Sequence, residues 1–298
     1  MTRRTTGRAY PFRLLVAGSL LAFAGPLVDA HATDKSEPRL ASPWVTEHAA
    51  RTRMIAGRVE SGGASRIYAG LEIELDDGWK TYWRNPGTSG VPPRLELEGS
   101  ENLAKAELLF PAPVRFKDRD GDTIGYKRTV VLPVVLTAKD PSKPIVLKGA
   151  AEIGICREVC IPVQPALSLL VPPDAPTEAK DGRLTSAIAQ VPRSENPGSQ
   201  APSVARVTTR LAGDKPQVVI EAVFPGDADR GDVFLEAPDG IWIPLPQAAG
   251  PVEGGTRRFV VDLTDGADLA ELKGRSIRVT LVGSVGQSET AFDLVDAN

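Results

Sequence analysis

Cysteine is almost missing from this chain: 298 residues hold two, Cys156 and Cys160. A framework stapled by several bridges is therefore excluded. Histidine and methionine are as scarce, two of each, and aromatic residues make up 5%. One of the two histidines, His31, lies in the N-terminal leader, so His48 is the only one left to the body of the chain. No histidine-based triad with cysteine or serine has a supporting motif. No glycine-rich loop follows a strand and opens a helix, which removes kinase and dehydrogenase chemistry, and no organic cofactor is expected. Basic runs and aromatic-interleaved basic patches are absent, so nucleic acid is not an expected partner. No apolar stretch beyond the leader reaches the length of a membrane span.

The N-terminus has an organisation of its own. Arg3, Arg4, Arg8 and Arg13 precede an apolar run from Leu14 to Val28, and Ala30-His31-Ala32 supplies a small-x-small cleavage pattern. Residues 1–32 are expected to be a secretory signal peptide, with the mature chain starting near Thr33 and destined for the periplasm. Removing them takes away four Arg and one Asp, so the net charge of −3 becomes −6.

Against this background the spacing of the cysteines stands out. Cys156-Arg-Glu-Val-Cys160 would close a loop so small that chain entropy credits the bridge with only about 2 kcal/mol. A pair of so little structural value is better read as a reagent. Two chemistries are open: a reversible dithiol/disulfide, or two thiolates holding Cu(I), with Met54 or His48 as further soft ligands and copper tolerance as the role. In an oxidising compartment the pair rests oxidised unless a partner reduces it.

Periodicity reads as β throughout. Ile67, Ala69, Leu71, Ile73 and Leu75 alternate with Arg66, Tyr68, Gly70, Glu72 and Glu74, which predicts a strand with one wet face. Further runs fall at Val130–Leu136, Ile145–Ile153, Ala166–Val171, Val204–Leu211, Gln217–Phe224, Asp232–Glu236, Arg257–Leu263, Ser276–Val282 and Thr290–Leu294. Short strands between Asp-Gly, Pro-Gly and Gly-Gly turns predict an all-β chain of two immunoglobulin-like antiparallel β-sandwich domains joined by a Pro-rich linker. The expected boundaries are 33–172 for the first sandwich with the cysteine pair, 173–202 for the linker, and 203–298 for the second. Leu184, Ile188 and Val191 at i, i+4, i+7 suggest a short helix inside the linker. A thioredoxin fold is disfavoured, because its Cys-x-x-Cys needs a βαβ setting and one residue fewer between the sulfurs.

Specific residues carry a resemblance. Gly78-Trp-Lys-Thr-Tyr-Trp-Arg-Asn-Pro-Gly-Thr-Ser-Gly90, Phe110-Pro-Ala-Pro-Val-Arg-Phe116, Ile124-Gly-Tyr126, Val131-Leu-Pro133 and the segment Cys156–Pro162 occur in an order and spacing similar to the N-terminal periplasmic domain family of the thiol:disulfide interchange protein DsbD. The variant in the suppressor-of-copper-sensitivity protein ScsB is the more similar, and the likeness covers about residues 45–172. It implies a thiol-disulfide oxidoreductase module that relays electrons between a membrane-embedded carrier, encoded separately here, and periplasmic thioredoxin-like or disulfide-bonded proteins. By analogy Cys160 exchanges with partners and Cys156 resolves. Better-known members have more residues between their cysteines; three here imply a tight, strained turn, and strain makes a bridge easier to reduce. Arg157 favours a thiolate and Glu158 opposes it, so the neighbours do not choose the activated sulfur.

The same resemblance implies an aromatic cap, for which Phe116 is the match, and Tyr126 is a second candidate lining residue. A core phenylalanine and a solvent-facing strand tyrosine are the alternative roles for these two. Asp118, Asp120 and Asp122 beside Gly121 look like a calcium loop but lack the bidentate Glu at its end, and read as a solvated acidic turn. Trp79, Tyr82 and Trp83 could form a ligand platform, although Trp79 and Trp83 share a strand face and suit a sandwich core.

Overall fold

Short strands with one apolar face must stack in sheets to bury it. The computed structural model of the protein describes residues 1–2, 40–61, 64–87, 89–118, 121–178, 182–194, 201–264 and 266–296. The expected signal peptide thus lies, beyond its first two residues, outside the described residues. Residues 35–298 make up one compact unit, separate from residues 1–34.

The strands follow in chain order as β1 (Leu40–Ala41), β2 (Val45–Glu47), β3 (Ala50–Ser61), β4 (Ala64–Leu75), β5 (Lys80–Gly87), β6 (Arg94–Glu96), β7 (Leu103–Leu108), β8 (Val114–Asp118), β9 (Gly121–Lys127), β10 (Thr129–Ala138), β11 (Ile145–Cys156), β12 (Cys160–Val163) and β13 (Ala166–Val171). Helix α1 (Arg183–Ala189) comes next. Then come β14 (Ser203–Arg210), β15 (Gln217–Val223), β16 (Asp232–Glu236), β17 (Gln247–Ala248), β18 (Thr256–Asp262), α2 (Leu269–Leu272), β19 (Ser276–Val282) and β20 (Gln287–Asp293).

Two sheets form the first sandwich. One runs β1-β3-β4-β10-β7 with β2 beside β3; the other runs β12-β11-β5-β9-β8 with β13 and β6 also on β11. Met54, Leu71 and Leu132 of the first sheet pack with Ile124, Ile153 and Ile155 of the second in one buried core. The second sandwich pairs a sheet β14-β15-β18-β17 with a sheet β16-β19-β20, around Val218, Ile220, Phe259, Val279 and Leu281. The chain is all-β and immunoglobulin-like, as its alternation implies.

One expectation needs correcting. The face of β4 read as wet is covered by α1, whose Leu184, Ala187 and Ile188 bury against Ile55, Val59, Tyr68 and Val131. Glu72 on that face is fully buried and accepts from Arg53 Nε at 2.6 Å, while Arg183 of α1 forms a second ion pair with it. Gly70 is required there: a Cβ would sit 2.8 Å from Val131 Cγ1 and 3.1 Å from Leu184 Cδ1. Polar residues in an alternating strand predict a face that water reaches only if no later element covers it.

The Pro-rich segment does not leave the sandwiches as separate bodies. Phe234 of β16 joins the first core, its ring 5.7 Å from Trp83. Arg84 of β5 holds Glu236 through two nitrogens and also pairs with Glu289. Arg115 of β8 clasps Asp232 at 2.9 and 2.8 Å and Asp122 at 3.1 Å. The strands that meet the second sandwich, β5 and β8, also carry side chains of the candidate site.

Candidate functional site

Antiparallel pairing places directly opposed residues on the same face of a sheet, and successive residues on alternate faces. Cys156 ends β11 and Cys160 begins β12, and the two are direct partners across the hairpin, joined as a disulfide with Cα atoms 4.1 Å apart. The turn Arg157-Glu158-Val159 closes with Arg157 N–H donating to Val159 O at 3.4 Å. On the other side of β11, Cys156 opposes Lys80 of β5, and Lys80 opposes Lys127 of β9. Lys127, Lys80, Cys156 and Cys160 therefore form one row across four strands. Cys156 is buried, at 8% exposure, and Cys160 is open to solvent.

Two residues along from Lys80, Tyr82 points to the same face. Its ring lies against Gly154, where a Cβ would come within 3.2 Å of Cδ2, and under Gly90, where a Cβ would come within 2.4 Å of Cε1. Gly90 also has φ +127, which favours glycine on its own account. Held this way, the Tyr82 hydroxyl reaches 3.0 Å from Cys160 Sγ. A disulfide sulfur carries no hydrogen, so the phenol is the donor. Burial, and then the charge of Asp118, raise the Tyr82 pKa and keep that proton in place.

Lys80 is itself buried, and its ammonium pairs with Asp118 and donates to Thr123 Oγ1 at 2.8 Å. Thr123 Oγ1 donates in turn to Asp118 at 2.6 Å. Burial would raise the Asp118 carboxyl, but the hydrogen bonds from Lys80 and Thr123 and the lysine charge hold it below the usual carboxylate range. Phe116 opposes Thr123 on β8, half-buried, with Lys80 Nζ 5.2 Å from its ring centroid. Phe116 and Cys156 line one cleft of about 540 Å³ with Gly78, Lys80, Lys127 and Arg157.

Tyr126 is placed differently. It opposes Thr81, one residue out of the cysteine row, and so faces the core, 7% exposed, its hydroxyl donating to Pro111 O at 2.8 Å. It lines a separate pocket beside α1 with Pro111, Arg183 and Gln190. Trp83 is fully buried and Trp79 packs on the core while also edging the cleft. Asp118 and Asp122 are engaged by Lys80 and Arg115, and Asp120 lies outside the described residues. Met54 is fully buried between the sheets, and among the described residues no group of three or more His, Cys, Asp or Glu could hold a metal. Sequence reasoning named Tyr82 only within a possible ligand platform and did not link Tyr82 or Lys80 to the cysteine pair. Their spacing in Lys80-Thr-Tyr82 was the available signal, since it puts both on one face, but only the register with Cys156 shows which face that is.

Residues 56–172 match the family model described as thiol:disulfide interchange protein DsbD, N-terminal. Among solved structures, the crystal structure of the N-terminal periplasmic domain of ScsB from Proteus mirabilis has a TM-score of 0.65 and 22% identity, covering 87% of this chain and 99% of that one. Likeness at that identity concerns the fold. None of the curated proteins matches the chain. The segment that matches the DsbD N-terminal family model, 56–172, holds both cysteines, the lysine row, Tyr82 and Phe116.

Proposed function

We propose that this protein is a periplasmic thiol-disulfide interchange module that takes electrons from a membrane carrier and passes them to partner proteins through Cys156 and Cys160. The observation that carries the reading is the bridge itself: one cysteine buried, the other exposed, with its sulfur hydrogen-bonded by a buried tyrosine. In the reduced protein the Cys160 thiolate attacks a partner disulfide, forming a mixed disulfide and releasing one partner thiolate. Cys156 thiolate then attacks Cys160, the internal bridge re-forms, and the second partner thiolate leaves. Two electrons have passed to the partner. A dithiol of the membrane carrier reverses the sequence, attacking Cys160 and releasing Cys156 as thiolate.

The neighbours suit these steps. A hydrogen bond strengthens when its acceptor becomes charged, so the Tyr82 phenol stabilises Cys160 more as a thiolate than in the bridge. Phe116 supports a cap role by sharing the cleft with the buried sulfur. For Tyr126 the burial and the bond to Pro111 support a core role. The Cu(I) reading draws less support, because Met54 is enclosed in the core and the two thiolates would stand without it. A redox titration of the purified protein against dithiothreitol, followed by competition for Cu(I) with a chelator, tests the choice. A reversible two-electron couple is expected; an irreducible bridge, or thiols that show no couple but retain Cu(I), would overturn it.

A further inference from the structure

We propose that the face carrying the disulfide receives an acidic segment of the partner polypeptide, with the reacting partner cysteine at one end of that segment. The inference rests on the interchange reading above and names the kind of partner that site takes. Although the chain as a whole carries a net charge of −3, the cleft beside the bridge has the opposite sign. Lys80, Lys127, Arg128 and Arg157 line it against Asp77 and Asp118, and Asp118 is already paired with Lys80. Three cations thus face one carboxylate, with Glu158 in the exposed turn beyond them.

Their positions are fixed by the backbone. Arg128 sits at the β9–β10 turn with φ 65, its carbonyl accepting from Leu75 N–H. The Arg157 side chain lies over Gly78, where a Cβ would come within 3.5 Å of Nε. Lys127 stands at the far end of the cysteine row. Three strand spacings separate it from Cys160, about 14 Å, which is the reach of about four extended residues and longer than a single small anion. At the other end Val159, 70% exposed and next to Cys160 in the chain, and Val91, 39% exposed and packed over Gly154, offer apolar contact. An incoming thiolate attacks Cys160 Sγ, the S–S bond breaks, and its electron pair leaves on Cys156, while carboxylates three to four residues from the attacking cysteine meet Lys127 and its neighbours.

The test uses the oxidised full-length protein and three synthetic peptides that differ only in the residues three and four positions either side of one cysteine: Asp, Ser or Lys. Exchange rates are compared per thiolate, after measuring each peptide's thiol pKa. The Asp peptide is expected to react about tenfold or more faster than the Lys peptide at low ionic strength. That ratio is expected to collapse near 1 M salt, where screening is short-ranged. A variant combining K127E, R128E and R157E, all at exposed positions, is expected to reverse the order. Equal rates for the three peptides, or a preference for the Asp peptide that high salt leaves unchanged, would overturn the proposal even if the variant failed to fold. Failure of uncharged dithiothreitol to open the bridge would instead overturn the interchange reading itself.

Discussion

Replacing Tyr82 by Phe removes one oxygen and leaves the ring between Gly90 and Gly154 in place. What is lost is the donor 3.0 Å from Cys160 Sγ. To a neutral sulfur acceptor such a bond contributes about 0.5–1.5 kcal/mol, and to a charged one about 1.5–3 kcal/mol, so the reduced state loses about 1 kcal/mol more than the oxidised state. For a two-electron couple 1.4 kcal/mol corresponds to about 30 mV, so the reduction potential of Y82F should fall by about 20–30 mV. The Cys160 thiol should become a weaker acid by about one pKa unit. Equilibration with dithiothreitol mixtures, read by alkylation and mass, gives the potential, and thiolate absorbance in the reduced protein gives the acidity. A potential that is unchanged or higher would refute the idea that Tyr82 favours the thiolate.

Other perturbations probe other parts of the account. Replacing both cysteines by Ser should cost no more than about 2 kcal/mol of unfolding free energy, the limit for so small a loop, and a larger loss in denaturant titration would make the bridge structural. F116A should speed reduction by glutathione with little change in unfolding midpoint; unchanged exchange with the loss of about 3–5 kcal/mol typical of a core aromatic would remove Phe116 from the site. E72Q takes the charge from a fully buried ion network and should cost about 3–5 kcal/mol, whereas a loss within 1 kcal/mol would show that Arg53 and Arg183 are satisfied without it. The Asp118 carboxyl is held low in the folded state, so its stabilisation is present above the ordinary carboxylate range and is lost as pH falls through the depressed value. D118N should lower the neutral-pH midpoint slightly and flatten that acid limb, and an acid limb identical to wild type would exclude Asp118 as its source.

Strand positions were legible because a strand with one apolar face writes its period into the chain: Ala166–Val171, Asp232–Glu236 and Ser276–Val282 are strands over those same residues. The α1 helix was legible too, through Leu184 and Ile188 on one face. What it covers was not. Tyr68 and Glu72 look solvent-facing in β4 because burial of the charged side chain depends on Arg53 and Arg183, which are distant in sequence. The placement of Tyr82 and Tyr126 was hidden for a similar reason. Both are tyrosines in short strands, and a register difference of one residue decides whether a ring faces the bridge or the core. No local pattern reports that register, since it is set where β5 meets β11 and β9. The insertion of Phe234 beside Trp83 was likewise hidden, as an aromatic in an alternating strand fits its own sandwich as well as its neighbour's.

Interchange through Cys160 is tested most directly by trapping. The C156S variant, reacted with a disulfide-bonded thioredoxin-like protein after reduction, should form a stable mixed disulfide that tryptic mass spectrometry places on Cys160, while wild type turns over without accumulating it. No adduct on Cys160 in C156S, or an adduct that forms instead on Cys156 in C160S, would contradict the account.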